Sequence, residues 1–83
     1  MSDKLSFKEF AILVNRTVPD AKVEQIENQF VAYGKRVSLD YNPATNLYSI
    51  FHLKTMDEFR SELSIKGAFD IFEGFEKRGF NAQ

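Results

Sequence analysis

The sequence predicts an α+β fold in which two helices precede a β-hairpin and one or two helices follow it, ααββα(α). Three observations carry that expectation. Helix-start signals stand at Ser6 and Pro19, two β-branched and aromatic runs flank the turn-forming stretch 42–46, and residues 65–78 place their apolar side chains at helical spacing.

The first helix opens at Ser6. The spacing Ser6-Phe7-Lys8-Glu9 lets the serine hydroxyl and the glutamate carboxylate each satisfy an orphan backbone donor. Phe7, Phe10, Ala11, Leu13 and Val14 then share a broad arc, while Ile12 falls nearly opposite, among Lys8, Glu9 and Arg16. Thr17-Val18-Pro19-Asp20 breaks the chain, and proline suits the first position of a helix because it has no N–H to leave unpaired. Val23, Ile26, Phe30 and Tyr33 follow at spacings of three, four and three, which predicts a second helix over 19–33 closed by Gly34.

The hairpin comes next, Arg36 to Asn42 against Leu47 to Leu53. With Pro43 to Asn46 as the loop, Asn42 pairs with Leu47, Tyr41 with Tyr48, Leu39 with Ile50 and Val37 with His52. Leu47, Phe51 and Leu53 then lie on the opposite face and, with Ile12, are expected to be covered by helices. Thr55-Met56-Asp57-Glu58 has capping-box spacing and predicts another helix start, so residues 55–78 read as one helix or two. The arc Ile65, Ala68, Phe69, Ile71, Phe72 and Phe75 spans roughly 160°, wider than the ~100° of an ordinary surface helix. Lys77 and Arg78 complement the helix dipole, and Gly79 ends the element. Gly67 and Gly74, on one edge of this helix, predict close approach by another backbone.

Length and composition bound the function. The 83 residues make a single domain over 1–83, with frayed ends expected at 1–5 and 80–83. There is no cysteine, hence no disulfide and no thiolate metal site. Eleven basic and twelve acidic residues, mixed along the chain, argue against a globally basic nucleic-acid binder. No apolar run is long enough to span a bilayer and the first residues do not form a signal peptide, so a cytoplasmic protein is expected, with no membrane partner. His52 is the sole histidine, which leaves no constellation for a catalytic dyad or a multi-histidine metal site. No enzyme activity, cofactor or metal is expected.

Five of the nine phenylalanines lie in the last 25 residues: Phe59, Phe69, Phe72, Phe75 and Phe80. That is more ring surface than a small core needs, and it predicts an apolar patch for a partner. The expected function is non-catalytic protein binding, by a small regulator or inhibitor of the kind that phage and mobile-element accessory proteins use, with a homodimer through the same helices or a free hairpin edge as a companion expectation. Ile71, Phe72, Phe75, Glu76, Phe80 and Phe51 are the candidate partner-binding residues. Glu76 sits between Phe69 and Phe72 on the helical wheel, where a helix edge that lets the carboxylate reach water is expected; buried or at an interface, it would call for an arginine from this chain or another. The alternative is a winged-helix-like nucleic-acid binder using the basic hairpin end, Lys35, Arg36, Lys54, Arg60 and Lys66. Against it, the predicted second helix would present Glu24 and Glu27 to phosphates, with Lys22 its sole cation. The segment Tyr33-Gly34-Lys35-Arg36 lacks the glycine spacing of a phosphate loop.

Overall fold

The computed structural model describes residues 4–78, apart from the side chain of Phe59. The chain runs α1 (Phe7–Thr17), β1 (Lys22–Ile26), β2 (Gln29–Tyr33), β3 (Val37–Asn42), β4 (Leu47–His52), β5 (Glu58–Leu63) and α2 (Ile65–Arg78). The strands form one antiparallel meander in the order β1-β2-β3-β4-β5, each bonded to its neighbour in sequence. The fold is thus α+β, but the expected arrangement of two helices, a hairpin and one or two helices is overturned: one helix precedes a five-stranded sheet and one follows it.

At α1 the capping box forms as the spacing predicts: the Ser6 hydroxyl accepts from the Glu9 N–H at 3.1 Å and the Ser6 N–H donates to the Glu9 carboxylate at 2.9 Å. Pro19 stops this helix rather than starting another. It pushes Val18 into the extended region, at φ −134° and ψ 94°, and the chain stays extended.

The helix expected over 19–33 is therefore the β1–β2 hairpin. Ile26 pairs with Gln29, leaving Glu27 and Asn28 as a two-residue turn with Glu27 at φ 55°. The 3-4-3 spacing of Val23, Ile26, Phe30 and Tyr33 is a coincidence of strand alternation. Val23 and Phe30 face the helices, while Ile26 and Tyr33 lie on the other side of the sheet.

The β3–β4 hairpin has the predicted register: Asn42 with Leu47, Tyr41 with Tyr48, Leu39 with Ile50 and Val37 with His52. Its edges, expected to be free for a dimer contact, are paired with β2 and β5.

Thr55-Met56-Asp57-Glu58 is a turn into β5 and not a helix start. The Thr55 hydroxyl accepts from the Asp57 N–H at 3.3 Å, two residues on instead of three, and Met56 stands at φ 63°. β5 is irregular, with register shifts on both sides of Ile50 and Glu62 at φ 56°. Residues 55–78 therefore hold a strand and a helix. That helix, α2, has the predicted bounds, its first bond running from the Ala68 N–H to the Ser64 carbonyl at 2.9 Å.

Both helices lie on one face. Phe10 and Val14 of α1, Ala68 and Phe72 of α2, and Phe30, Ala32, Val37, Leu39, Tyr41, Tyr48 and Ile50 of the sheet form the core. Its centre is aromatic. Tyr41 and Tyr48 stack with ring centroids 4.3 Å apart, Phe10 lies 6.0 Å from Tyr41, and Phe69 meets the edges of Tyr48 and Phe10 at 5.8 and 6.2 Å. Each such pair adds about 0.5–1.5 kcal/mol beyond the burial of its area. The two helical glycines admit no neighbouring backbone: a Cβ on Gly67 or Gly74 would meet only α2's preceding Ser64 hydroxyl or its own Arg78 side chain, which overturns the expected close approach.

The two stacked tyrosines differ at their hydroxyls. That of Tyr41 donates to Asn46 Oδ1 at 2.6 Å and accepts from the Leu5 N–H at 3.2 Å, whereas that of Tyr48 is buried with no partner among the described residues. Tyr41→Phe should lower stability by about 1 kcal/mol, and Tyr48→Phe should leave it unchanged or raise it by up to ~1 kcal/mol, measured by urea unfolding. A comparable loss in both variants would contradict this division.

Candidate functional site

Two places on the molecule gather polar side chains, and they do different work. The first is at Glu76, near the end of α2. Its carboxylate accepts the backbone N–H groups of Lys35, Arg36 and Val37, at 2.7, 2.8 and 2.8 Å. Three consecutive donors converging on one anion form a backbone nest, and the turn from β2 to β3 supplies it. Gly34 makes room, since a Cβ there would overlap the Glu76 carboxylate. The Arg36 guanidinium reaches the Phe75 and Glu76 carbonyls at 3.4 and 3.5 Å, where the negative end of the helix dipole favours it.

This explains the residues that the sequence singled out here. Glu76 takes backbone donors, neither left to water as expected nor paired with an arginine side chain, and the turn Tyr33-Gly34-Lys35-Arg36 does cradle an anion, one the chain supplies itself. The proposed basic cluster is only partly assembled. The Leu53 N–H bonds the Arg36 carbonyl at 3.1 Å, which brings Lys54 to the same end of the sheet as Lys35 and Arg36. Arg60 stands on β5 opposite Ile50. Lys66 lies ten residues before Glu76, about 15 Å away along α2.

The proposed aromatic anchors divide similarly. Phe72 is wholly enclosed, and Ile71 and Phe75 pack against the core. Phe80 lies outside the described residues. Of the five that are described, Phe51 alone stands on the sheet face that neither helix covers.

That uncovered face is the second place. It follows from the alternation of each strand: Lys22, Glu24 and Ile26 on β1, Gln29, Val31 and Tyr33 on β2, Ser38, Asp40 and Asn42 on β3, and Leu47, Ser49 and Phe51 on β4. Two adjoining depressions of about 400 and 320 Å³ run across it and share Gln29, Asp40 and Phe51. Ile26, Leu47 and Met56, three of the four large apolar side chains found exposed among the described residues, line this groove at 45, 37 and 63 % exposure. Leu47 and Phe51 are thus not covered by helices as expected, and Ile12 also stays exposed on α1. Glu27, Met56 and Glu62, three of the four non-glycine residues with left-handed backbone among the described residues, stand along its walls. Such conformations cost about 1–3 kcal/mol each and collect where a surface is shaped for contact.

Asp40 occupies the middle strand at the centre of this face, between Val31 on β2 and Ser49 on β4. The Ser38 hydroxyl donates a long hydrogen bond to it, at 3.4 Å. Burial, and secondarily the Glu58 carboxylate, raises the Asp40 carboxyl to about 6, against the Ser38 bond. Burial also raises the Tyr33 hydroxyl, helped by Glu24 and then Asp40. Among the described residues no three His, Cys, Asp or Glu side chains come together as a metal-binding group. Nor is any helix among them long and apolar enough to cross a membrane.

Sequence reasoning missed Tyr33, Ile26, Asp40 and Met56 as site residues because it placed three of them in helices. Asp40 was on the correct strand and face, but nothing showed that the face would be open. Compared with protein-family models, curated proteins and solved structures, the chain finds no match in any of the three.

Two predictions follow from these contacts. Glu76→Ala should cost about 1–2 kcal/mol, since three charge-assisted bonds are lost at a site water can enter. Gly34→Ala should cost a similar amount by evicting the carboxylate, so the double variant should lose little more than either single one; simple additivity in urea unfolding would refute the nest. Asp40 carries the opposite sign of pH dependence from a salt-bridged carboxylate. Its folded state holds the proton more tightly than the unfolded state does, so its stabilising contribution is complete below pH ~4 and is lost as pH rises through ~6. Asp40→Asn should match the parent near pH 4 and exceed it by ~1–2 kcal/mol at pH 7.5, after allowance for partial exposure. A gap that does not widen with pH would contradict the assignment.

Proposed function

We propose that this chain is a non-catalytic protein-binding domain that receives its partner on the uncovered sheet face. The observation that carries the reading is the continuous groove across that face, which leaves Ile26, Leu47 and Met56 exposed beside Phe51 and Tyr33. Apolar side chains gathered in a concavity lower their free energy when a second surface removes them from water, by about 25 cal/mol per Å² of apolar area. The partner-binding role thus moves from the rings of α2, which the core uses, to the opposite side of the molecule. A domain of this size with no reactive cluster acts by occupying its partner's surface, in the manner of a regulator or inhibitor.

The nucleic-acid reading draws less support. Arg36 is engaged with the end of α2, and Lys66 is remote from Lys35. A photo-crosslinking amino acid at position 51, in the cells that make the protein, should give a discrete protein adduct. The same group at position 12, on the exposed side of α1, should give none. Equal adducts from both positions, or an adduct from position 12 alone, would refute the assignment of the face.

A further inference from the structure

The groove presents two kinds of surface in separate parts. One part runs from the β1–β2 turn across β2 and β3 to the β4–β5 turn and is lined by Ile26, Val31, Tyr33 and Met56, with Glu27; the other lies over β3 to β5 beside the β3–β4 turn and is lined by Asn42, Ser49, Glu58 and Glu62, with Leu47. Asp40 and Phe51 belong to both parts, so the desolvated carboxylate stands at their junction. Among the described residues neither part is lined by a lysine or arginine. Among the groove's lining and the outward positions of β1 to β4, Glu24, Glu27, Asp40, Glu58 and Glu62 are set against Lys22, while Lys35, Arg36, Lys54 and Asp57 stand in the β2–β3 and β4–β5 turns and line neither part; the chain as a whole carries 11 basic and 12 acidic residues. The charges are sorted by face and do not reflect composition.

That sorting selects the occupant. Nucleic acid would bring phosphates against carboxylates. A second copy docked face to face would oppose two acidic surfaces, because a two-fold contact sets the same patch against itself. A purely apolar strand would cover Asp40 and leave it with less solvation and no new partner. A cation removes that cost. Arginine suits the place better than lysine: its guanidinium is planar, weakly hydrated, able to accept a carboxylate across two N–H groups, and able to lie on an aromatic ring. Tyr33 and Phe51 line the same depression as Asp40.

We propose that the face binds a protein segment in which an arginine is set among apolar residues, its guanidinium seated on Asp40 between Tyr33 and Phe51, with Glu58 beside it. This rests on the reading of the face as a protein-docking surface. The apolar neighbours of the arginine fill the part of the groove lined by Ile26, Val31 and Met56, and the carboxylates of the other part steer the segment in.

The test is titration of the ¹⁵N-labelled domain with acetylated, amidated octapeptides of alternating valine and arginine, valine and lysine, and valine and glutamate. With the valine–arginine peptide the amide signals of Val31, Tyr33, Ser38, Asp40, Ser49 and Phe51 should shift. Binding should weaken roughly 10-fold on Asp40→Asn, the equivalent of one lost charge-assisted contact. It should weaken less on Glu58→Gln and not at all on Glu73→Gln, a change on α2. Lysine should bind more weakly than arginine, and glutamate should not bind. Each variant's own spectrum reports whether it is folded. Equal binding of the glutamate peptide to the same face would overturn the arginine proposal and leave the docking face standing. Shifts confined to other surfaces, or none at millimolar peptide, would overturn both. Displacement of the peptide from this face by a short oligonucleotide that shifts the same signals would overturn the proposal in favour of nucleic acid.

Discussion

Two helices can roof one side of a five-stranded sheet and no more. Strands about 4.8 Å apart make such a sheet some 20–25 Å wide, and two helices about 10 Å across, laid side by side, span the same width. Here α1 has 11 residues and α2 has 14, and both send their apolar side chains into the same aromatic core. With both helices on one side, the other side of the sheet is shielded, among the described residues, by its own side chains and turns. The groove and the exposed apolar residues descend from that shortage of cover, whereas the raised carboxyl of Asp40 reflects the burial it keeps at the centre of the face.

The covered side is held by more than burial. Phe72 and Ala68 fix α2 over β3 and β4, while the Glu76 carboxylate fixes its far end to the β2–β3 turn. The two attachments differ in kind: one is non-directional and scales with area, the other is set by three donors and specifies the position of the helix end. Gly34 belongs to the second. The space left by its missing side chain is what the carboxylate fills.

How much of this could be read from the residues depended on whether local signals agreed with the tertiary outcome. α1 was legible because Ser6 and Glu9 satisfy each other within the element itself. The register of β3 and β4 was legible because Asn42 and Asn46 make a turn that pins both strands. α2 was legible from a long run of helical spacing. β1, β2 and β5 were not. Val23, Ile26, Phe30 and Tyr33 fit a helix by accident, and the turn between β1 and β2 places Glu27, not glycine, in a left-handed conformation. Thr55 and Glu58 imitate a helix start, while Met56 and Glu62 adopt backbone angles that their side chains do not advertise. Of the proposed anchors, Phe51 lay on a correctly read strand and Phe72 on a correctly read helix. Their fates diverged because the sheet proved wide enough to absorb the α2 rings, and its width was hidden in the segments mistaken for helices.

The carboxylate of residue 76 grips a backbone segment some forty positions earlier. That separation makes it a contact that closes only when α2 lies over the sheet, so it rewards the finished packing and no earlier, local structure. The grip on the turn is therefore a tertiary lock: it forms when α2 settles on the sheet and opens when that helix lifts away.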